Sequence, residues 1–417
     1  MIKFICLLIV LSLNSSKTAI AQSSFIKAKK ISFVLDKQTY QFKGTNYWYG
    51  GYLLNNKKRL TSELDFLRAN HITNLRVFIS SEGDSTYPYR IYPSIQPQQG
   101  IYNEQLLKGF DYLLVEAKKR KLKIVFVLNN NWEWSGGFAQ YLQWNGYGTP
   151  PLPKTSLWDW DKYCDYISKF YSCNNCISFF NKFITHILKR KNTITKQYYY
   201  NDNTIMAWEL ANEPRPMRKE ATQSYIKWVK NTSALIKSID KNHLVTIGVE
   251  GALSTFYDTA IFSTIHSLPT IDYATIHLWP KTWQWYNGES GHAVTDTTLQ
   301  RTKIYIEQHA NLCKKINKPL VIEEFGMHRD ENSFSSKATV QNRDKYFTYV
   351  FTIGKQNNIA GYNFWGFAGI DSNTNDKLFM QKGMPYSADP PQEEQGLYSV
   401  FKTDSSTFKL IKNINKK

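Results

Sequence analysis

Apolar residues in this chain gather into short unbroken runs separated by stretches of helical periodicity. Residues 205–210, Ile205-Met206-Ala207-Trp208-Glu209-Leu210, form one such run, and 122–128 and 320–323 form two more. Each is as long as a strand and has no polar face, the pattern of a strand covered on both sides. Similar runs predict strands over 44–48, 73–78, 244–248, 273–277 and 361–365. Between them, apolar spacing predicts helices over about 60–70, 103–120, 219–239, 297–315 and 341–356, with loops and helices over 129–196. In 103–120, Leu106, Phe110, Leu113, Leu114 and Ala117 share a face, and Asn103 supplies an N-cap. Residues 32–44 alternate and turn at Asp36-Lys37, which predicts a small hairpin capping the barrel bottom. Strands alternating with helices argue for a parallel sheet, and eight of them argue for closure. The expected fold class is α/β: a single (β/α)8 TIM barrel with a short N-terminal β-hairpin.

The N-terminus adds an address. Lys3, the apolar residues 5–13 and Ala19-Ile20-Ala21 before Gln22 have the order of a signal peptide over 1–21, cleaved after Ala21. The apolar stretch is far short of a membrane span, and Cys6 lies inside it rather than after a cleavage site. A secreted or periplasmic chain is expected, without membrane insertion, and a monomer. No Pro/Ser/Gly-rich linker interrupts residues 22–417, which read as one catalytic domain.

The net charge of +18 raises the question of nucleic acid. The lysines are scattered, the densest cluster (Lys189-Arg190-Lys191) lies on a helical stretch, and no recognition motif accompanies them. A solvated basic surface is the better reading, with attraction to acidic cell-surface polymers as the modest alternative. Four cysteines follow the leader. Cys173 and Cys176 are spaced for a local disulfide, or Cys164 pairs with one of them, and no second pair stands at metal-ligand spacing. No metal and no cofactor are expected.

Candidate chemistry lies where apolar runs stop. The run 205–210 leads into Asn212-Glu213-Pro214-Arg215-Pro216, and proline cannot donate to a sheet. Lys318-Pro319-Leu320-Val321-Ile322-Glu323-Glu324-Phe325-Gly326 likewise ends a core strand in carboxylates. In a parallel barrel such positions form the mouth of the active site. Arg76, inside the apolar Asn74-Leu75-Arg76-Val77-Phe78, must be paired if buried.

Trp208-Glu209-Leu210-Ala211-Asn212-Glu213-Pro214-Arg215 resembles the acid/base segment of the endo-β-1,4-mannanases of glycoside hydrolase family 5, within the clan of retaining (β/α)8 glycosidases. The resemblance spans Gly44 to about Trp365. It implies Glu213 as general acid and base, protonated at rest, and Glu324 as ionised nucleophile, with Glu323 pointing the other way because neighbouring strand residues face opposite sides. It further implies that Asn212 bonds the sugar 2-hydroxyl and that Arg76 keeps the nucleophile ionised. His277 and Trp279, in Ala274-Thr275-Ile276-His277-Leu278-Trp279-Pro280, would belong to the site, although many relatives carry Tyr where Trp279 stands. Trp365 would form the sugar platform and Arg215 would line the leaving-group side. Trp48, Trp132, Trp134, Trp283 and Trp285 also fall near strand-end loops; Trp48, Trp132 and Trp279 are expected to bind substrate. Asn129-Asn130-Asn131-Trp132, where cellulases of the family carry His, favours the mannanase reading. The implied partner is a β-mannan polysaccharide or oligosaccharide, cleaved by double displacement. A β-1,4-glucanase and a non-catalytic glycan-binding protein are the alternatives, and the second is disfavoured by the presence of both carboxylates. Residues 372–395 match nothing interpretable.

Overall fold

The structure is a computed structural model that describes residues 24–83, 87–286, 294–369 and 379–414. The expected signal peptide lies outside the described residues.

Three short strands, β1 (Lys27–Lys29), β2 (Ser32–Leu35) and β3 (Gln38–Tyr40), form an antiparallel ribbon. The β2–β3 turn is made by Asp36 and Lys37, both at positive φ (50° and 66°), which suits the right-handed twist of a two-residue hairpin. Eight parallel strands follow: β4 (Phe42–Asn46), β5 (Asn74–Phe78), β6 (Lys123–Val127), β7 (Ile205–Glu209), β8 (Leu244–Thr246), β9 (Ala274–Leu278), β10 (Leu320–Phe325) and β11 (Gly361–Phe364). Their order is β8-β7-β6-β5-β4-β11-β10-β9. The seam between β8 and β9 is bridged by separate bonds rather than a ladder: Asp272 N–H donates to Val245 O (2.8 Å) and Thr246 Oγ1 to Tyr273 O (3.0 Å). The result is a nearly closed (β/α)8 barrel whose strands are buried on both faces, as their apolar runs require.

Around the sheet lie α1 (Lys57–Ala69), α2 (Glu104–Lys119), α3 (Gly137–Trp144), α4 (Trp160–Ser168), α5 (Asn174–Leu188), α6 (Thr222–Ile239), α7 (Thr259–His266), α8 (Asp296–Lys315), α9 (Gln341–Gln356) and α10 (Ser405–Asn413). Asn103 caps α2 by accepting from Leu106 N–H (3.1 Å). Helix α6 starts later than expected because one 3-10 turn, Lys219–Ala221, precedes it. The first barrel strand runs over Phe42–Asn46 rather than 44–48, since Tyr47 and Trp48 leave the sheet for the packed layer under the later loops. Cys173 and Cys176 form a disulfide at the start of α5, and Cys164 and Cys313 are buried thiols. Among the described residues no helix is long and apolar enough to cross a membrane.

The ribbon plugs the end of the barrel where the strands begin. Phe33 meets Tyr273 edge-on (5.3 Å) and Phe42 (6.2 Å), in a cluster with Val125, Ala207, Leu244 and Val321. With that end sealed, the strand C-termini are left as the open face.

Candidate active site

Arg76, the one charge in β5, points into the barrel and is fully buried. Its five N–H groups all have partners. Nε and Nη2 grip Glu209 of β7 (2.8 and 2.5 Å), Nη1 donates to Asn46 Oδ1 (3.0 Å) and to Glu324, and Nη2 also donates to Asn212 Oδ1 (2.8 Å). A guanidinium saturated in this way ties four strands together at one depth. The expected contact with Glu324 is present, but the bidentate partner is Glu209, which the sequence reading passed over. A second charge inside the apolar run 205–210 was the available signal.

Glu213 follows β7 with a left-handed backbone, φ 50°. Its N–H donates to Gly248 O (2.8 Å) beyond β8, so the unfavourable torsion is held by a neighbouring strand. One carboxylate oxygen accepts from His277 Nδ1 (2.6 Å) and the other from Trp132 Nε1. Glu324, in β10, accepts from Arg76 Nη1, from Trp279 Nε1 (3.0 Å), and lies 3.2 Å from the same His277 Nδ1. The indole of Trp279 thus supplies the donor that a tyrosine hydroxyl would give. One oxygen of Glu213, one of Glu324 and a ring nitrogen of His277 all lie within 4.8 Å of one another.

Glu323 departs from the expectation. The pairing of β10 with β9 shifts register between Ile322 and Glu324, and a bulge of this kind frees the side chain from strict alternation. Glu323 therefore also turns into the barrel, 3.7 Å from Arg76 Nε and 3.6 Å from His277 Nε2, with no hydrogen-bond partner on either oxygen among the described residues.

Four carboxyls around two cations set the protonation. Burial works against a charged His277, but Glu324 and Glu213 outweigh it and push the imidazole up to about 10. Burial, together with the neighbouring Glu213 and Glu323, pushes Glu324 up to about 7 despite His277 and Arg76. Burial raises Glu213 too, yet His277, Arg215 and Trp132 together bring it below the ordinary carboxylate value. The two carboxyls titrate as one pair: His277, closer to Glu213, holds that carboxyl down, while burial and the neighbouring carboxyls hold Glu324 up.

Residues 23–417 match the family model described as GH family 5 beta-mannosidase-like. The chain belongs to glycoside hydrolase family 5. It is 30% identical over 364 residues to mannan endo-1,4-beta-mannosidase 1 of Arabidopsis thaliana, covering 82% of this chain and 80% of that relative. It is similarly 30% identical over 363 residues to mannan endo-1,4-beta-mannosidase 4 of Solanum lycopersicum, covering 84% of each. The solved glycoside hydrolase family 5 mannosidase from Rhizomucor miehei superposes with a TM-score of 0.85 at 30% identity, covering 95% of this chain and 98% of that one. A variant of that mannosidase was solved with mannosyl-fructose (TM-score 0.85, 29% identity, covering 95% and 97%).

In this glycoside hydrolase the cleft above the pair has a volume of about 390 Å³, and its aromatic walls include Trp132, Trp134, Trp279, Trp283 and Trp365. Trp285 packs on Trp283 and Tyr305 instead. Trp48 is a correction: it is fully buried, and its Nε1 donates to Ala388 O (2.8 Å), bracing the loop after β11 from below. It does not face the cleft, because Trp134 and Tyr386 pack edge-on against it. Asn212 is in the wall, its Oδ1 held by Arg76 and its Nδ2 by Asn130 Oδ1 (3.1 Å), leaving one amide hydrogen for a ligand. Arg215 lies over the Trp132 ring (5.1 Å) and is gripped by both oxygens of Glu250 (2.6 Å each). Glu250 was missed, although Gly248-Val249-Glu250 repeats the pattern of an apolar strand ending in a carboxylate.

Part of the stretch that resisted sequence reading also reaches the site; its residues 372–378 lie outside the described ones. Asp389 accepts from Gly396 N–H (2.7 Å), Tyr398 N–H (3.2 Å) and Ser399 Oγ (2.6 Å), folding 389–399 into a compact loop. The loop brings Pro390, Gln392, Glu393 and Tyr398 to the cleft. Burial and the neighbouring Asp389, Glu324 and Glu213 push the Glu393 carboxyl up to about 8.

Proposed function

We propose that this glycoside hydrolase is an exported endo-acting enzyme that cleaves β-1,4-mannosidic links in mannan, glucomannan or galactomannan with retention. One observation carries the reading: oxygens of Glu213 and Glu324, on strands that face each other across the mouth, approach within 4.8 Å. Retention by double displacement needs about 5 Å between the carboxyls, whereas inversion needs room for a water between them. The mannan substrate is supported by the names of the two plant relatives at 30% identity and by the mannosyl-fructose complex of the fungal mannosidase.

In this reading sugar binding places the pair's proton on Glu213, with His277 Nδ1 in contact with both carboxyls. Glu324, held by Arg76 and Trp279, attacks the anomeric carbon as Glu213 protonates the departing oxygen. Glu213 then takes a proton from water, whose oxygen displaces Glu324 from the same carbon. Asn212 offers its remaining amide hydrogen to the sugar 2-hydroxyl, and Trp365 supplies an apolar platform.

Reducing-sugar release from galactomannan and from a soluble β-1,4-glucan tests the proposal. Release from the mannan is expected, with Glu213→Ala and Glu324→Ala each lowering kcat by about 10²–10⁴-fold or more. Greater release from the glucan overturns the substrate, and full activity in either variant overturns the mechanism.

A further inference from the structure

At the rim of the cleft, Leu157, Trp158 and Trp160 expose 49%, 41% and 48% of their surface within four residues. Single exposed apolar side chains are ordinary, but two indoles and a leucine side by side, continuous with a binding cleft, mark a contact surface. Trp160 borders the cleft itself. Its ring lies 6.2 Å from that of Trp132 at 28°, and Trp158 follows at 6.5 Å from Trp160. Trp158 is turned to 62° from Trp160, and all three indoles pack around Tyr163 (6.2, 6.2 and 5.7 Å), so one aromatic cluster reaches from the Glu213 carboxyl, which accepts from Trp132 Nε1, to the exposed rings.

We propose that Trp160 and Trp158 form an outer sugar-binding platform for the distal rings of a long β-1,4-linked chain, on the leaving-group side. The direction follows from which carboxyl each indole touches. Trp132 bonds Glu213, the proton donor to the departing oxygen, whereas Trp279 bonds Glu324 and packs against Trp365 (5.7 Å) on the other side. A platform reached through Trp132 thus lies under the departing part of the chain. The ledge is preorganised. Asp159 caps α4 through Lys162 N–H (2.9 Å), fixing Trp160 at the first helical position. Tyr163 lies near-parallel to both Trp160 (19°) and Trp132 (13°), and its hydroxyl donates to Asn131 O (2.8 Å). Beside the rings, Arg218 pairs with Asp161 (3.1 Å) and Asp165 (2.6 Å). Apolar ring faces with a hydrogen-bonding rim match pyranose units, whose C–H faces are apolar and whose edges carry hydroxyls.

The inference rests on the mannan reading, so its test separates the two. Wild type, Trp158→Ala, Trp160→Ala and Trp160→Tyr are compared on polymeric mannan and on a short aryl β-mannobioside. Each alanine variant is expected to raise KM on the polymer about three- to tenfold with kcat little changed, the scale of one aromatic contact. On the aryl substrate, Trp158→Ala is expected to change kcat/KM by less than about twofold, and Trp160→Tyr to recover most of the polymer affinity. Unchanged polymer kinetics, or equal losses on both substrates, overturn the platform. A wild type that cleaves neither substrate overturns the mannan reading alone. The platform is then read from retention of a Glu324→Gln chain on insoluble mannan and on cellulose. Retention lost with the indoles supports it; absent or indole-independent retention overturns it.

Discussion

His277 shows how one residue sets the chemistry of its neighbours. Its charge lowers both carboxyls it touches, so the proton they share leaves as pH rises through about 7, the value at which burial holds Glu324. Activity is therefore expected to fall on the alkaline side near pH 7. In His277→Asn the lowering charge is gone, both carboxyls rise, and the alkaline limb of a pH–rate profile should move upward as kcat drops. A limb that stays in place or moves down contradicts the assignment. Arg76 acts through saturation: removing it leaves the buried carboxyls of Glu209, Glu323 and Glu324 without their cation. Arg76→Ala should cost about 3–5 kcal/mol in urea unfolding, the usual scale for a buried charge left without its partner. That a buried arginine needs a partner was readable from residues 74–78. Which carboxyl grips it with both oxygens was not, because that depends on β7, which lies beyond β6 in the sheet and is remote in the chain.

At the scale of an element, the junction of β7 and β8 decides where Glu213 points. Gly248 has φ 89°, and a Cβ there would meet Ala211 O at 2.1 Å and Glu209 Oε1 at 2.3 Å. Both the torsion and the close approach require glycine. Gly248→Ala is expected to destabilise the fold by about 1–3 kcal/mol and to lower kcat as well, since the Gly248 carbonyl holds Glu213. A loss of stability with kcat intact would separate the junction from catalysis. The strands and most helices were legible because burial on two faces or on one leaves different spacings in the chain. The Glu323–Glu324 pair was not. Alternation predicts that one of them faces away, and the bulge in β10 that turns both inward is set by pairing with β9 rather than by any local residue type.

Over the whole molecule the barrel separates support from chemistry. Phe33 lies in the plug under the strand starts, and the carboxyls lie at the strand ends. Phe33→Ala should therefore lower stability by about 3–5 kcal/mol through the cavity it leaves, with KM and kcat unchanged at temperatures where the protein is folded. Thermal unfolding and steady-state kinetics together check this, and a change in kcat at full folding would show that the two ends are coupled.

What the chain encodes locally, its order of residues was enough to reveal: eight buried strands, the helices between them, the turn at Asp36-Lys37, and carboxylates at the ends of β7 and β10. Each depends on spacing, capping or backbone preference within a few residues. Tertiary structure decided which charges meet, that Trp48 braces a loop while Trp134 lines the cleft, that residues 389–399 wall the site, and that His277 touches both carboxyls. Those outcomes turn on distances between segments remote in the chain and on the burial that closure imposes. No local pattern carries either quantity.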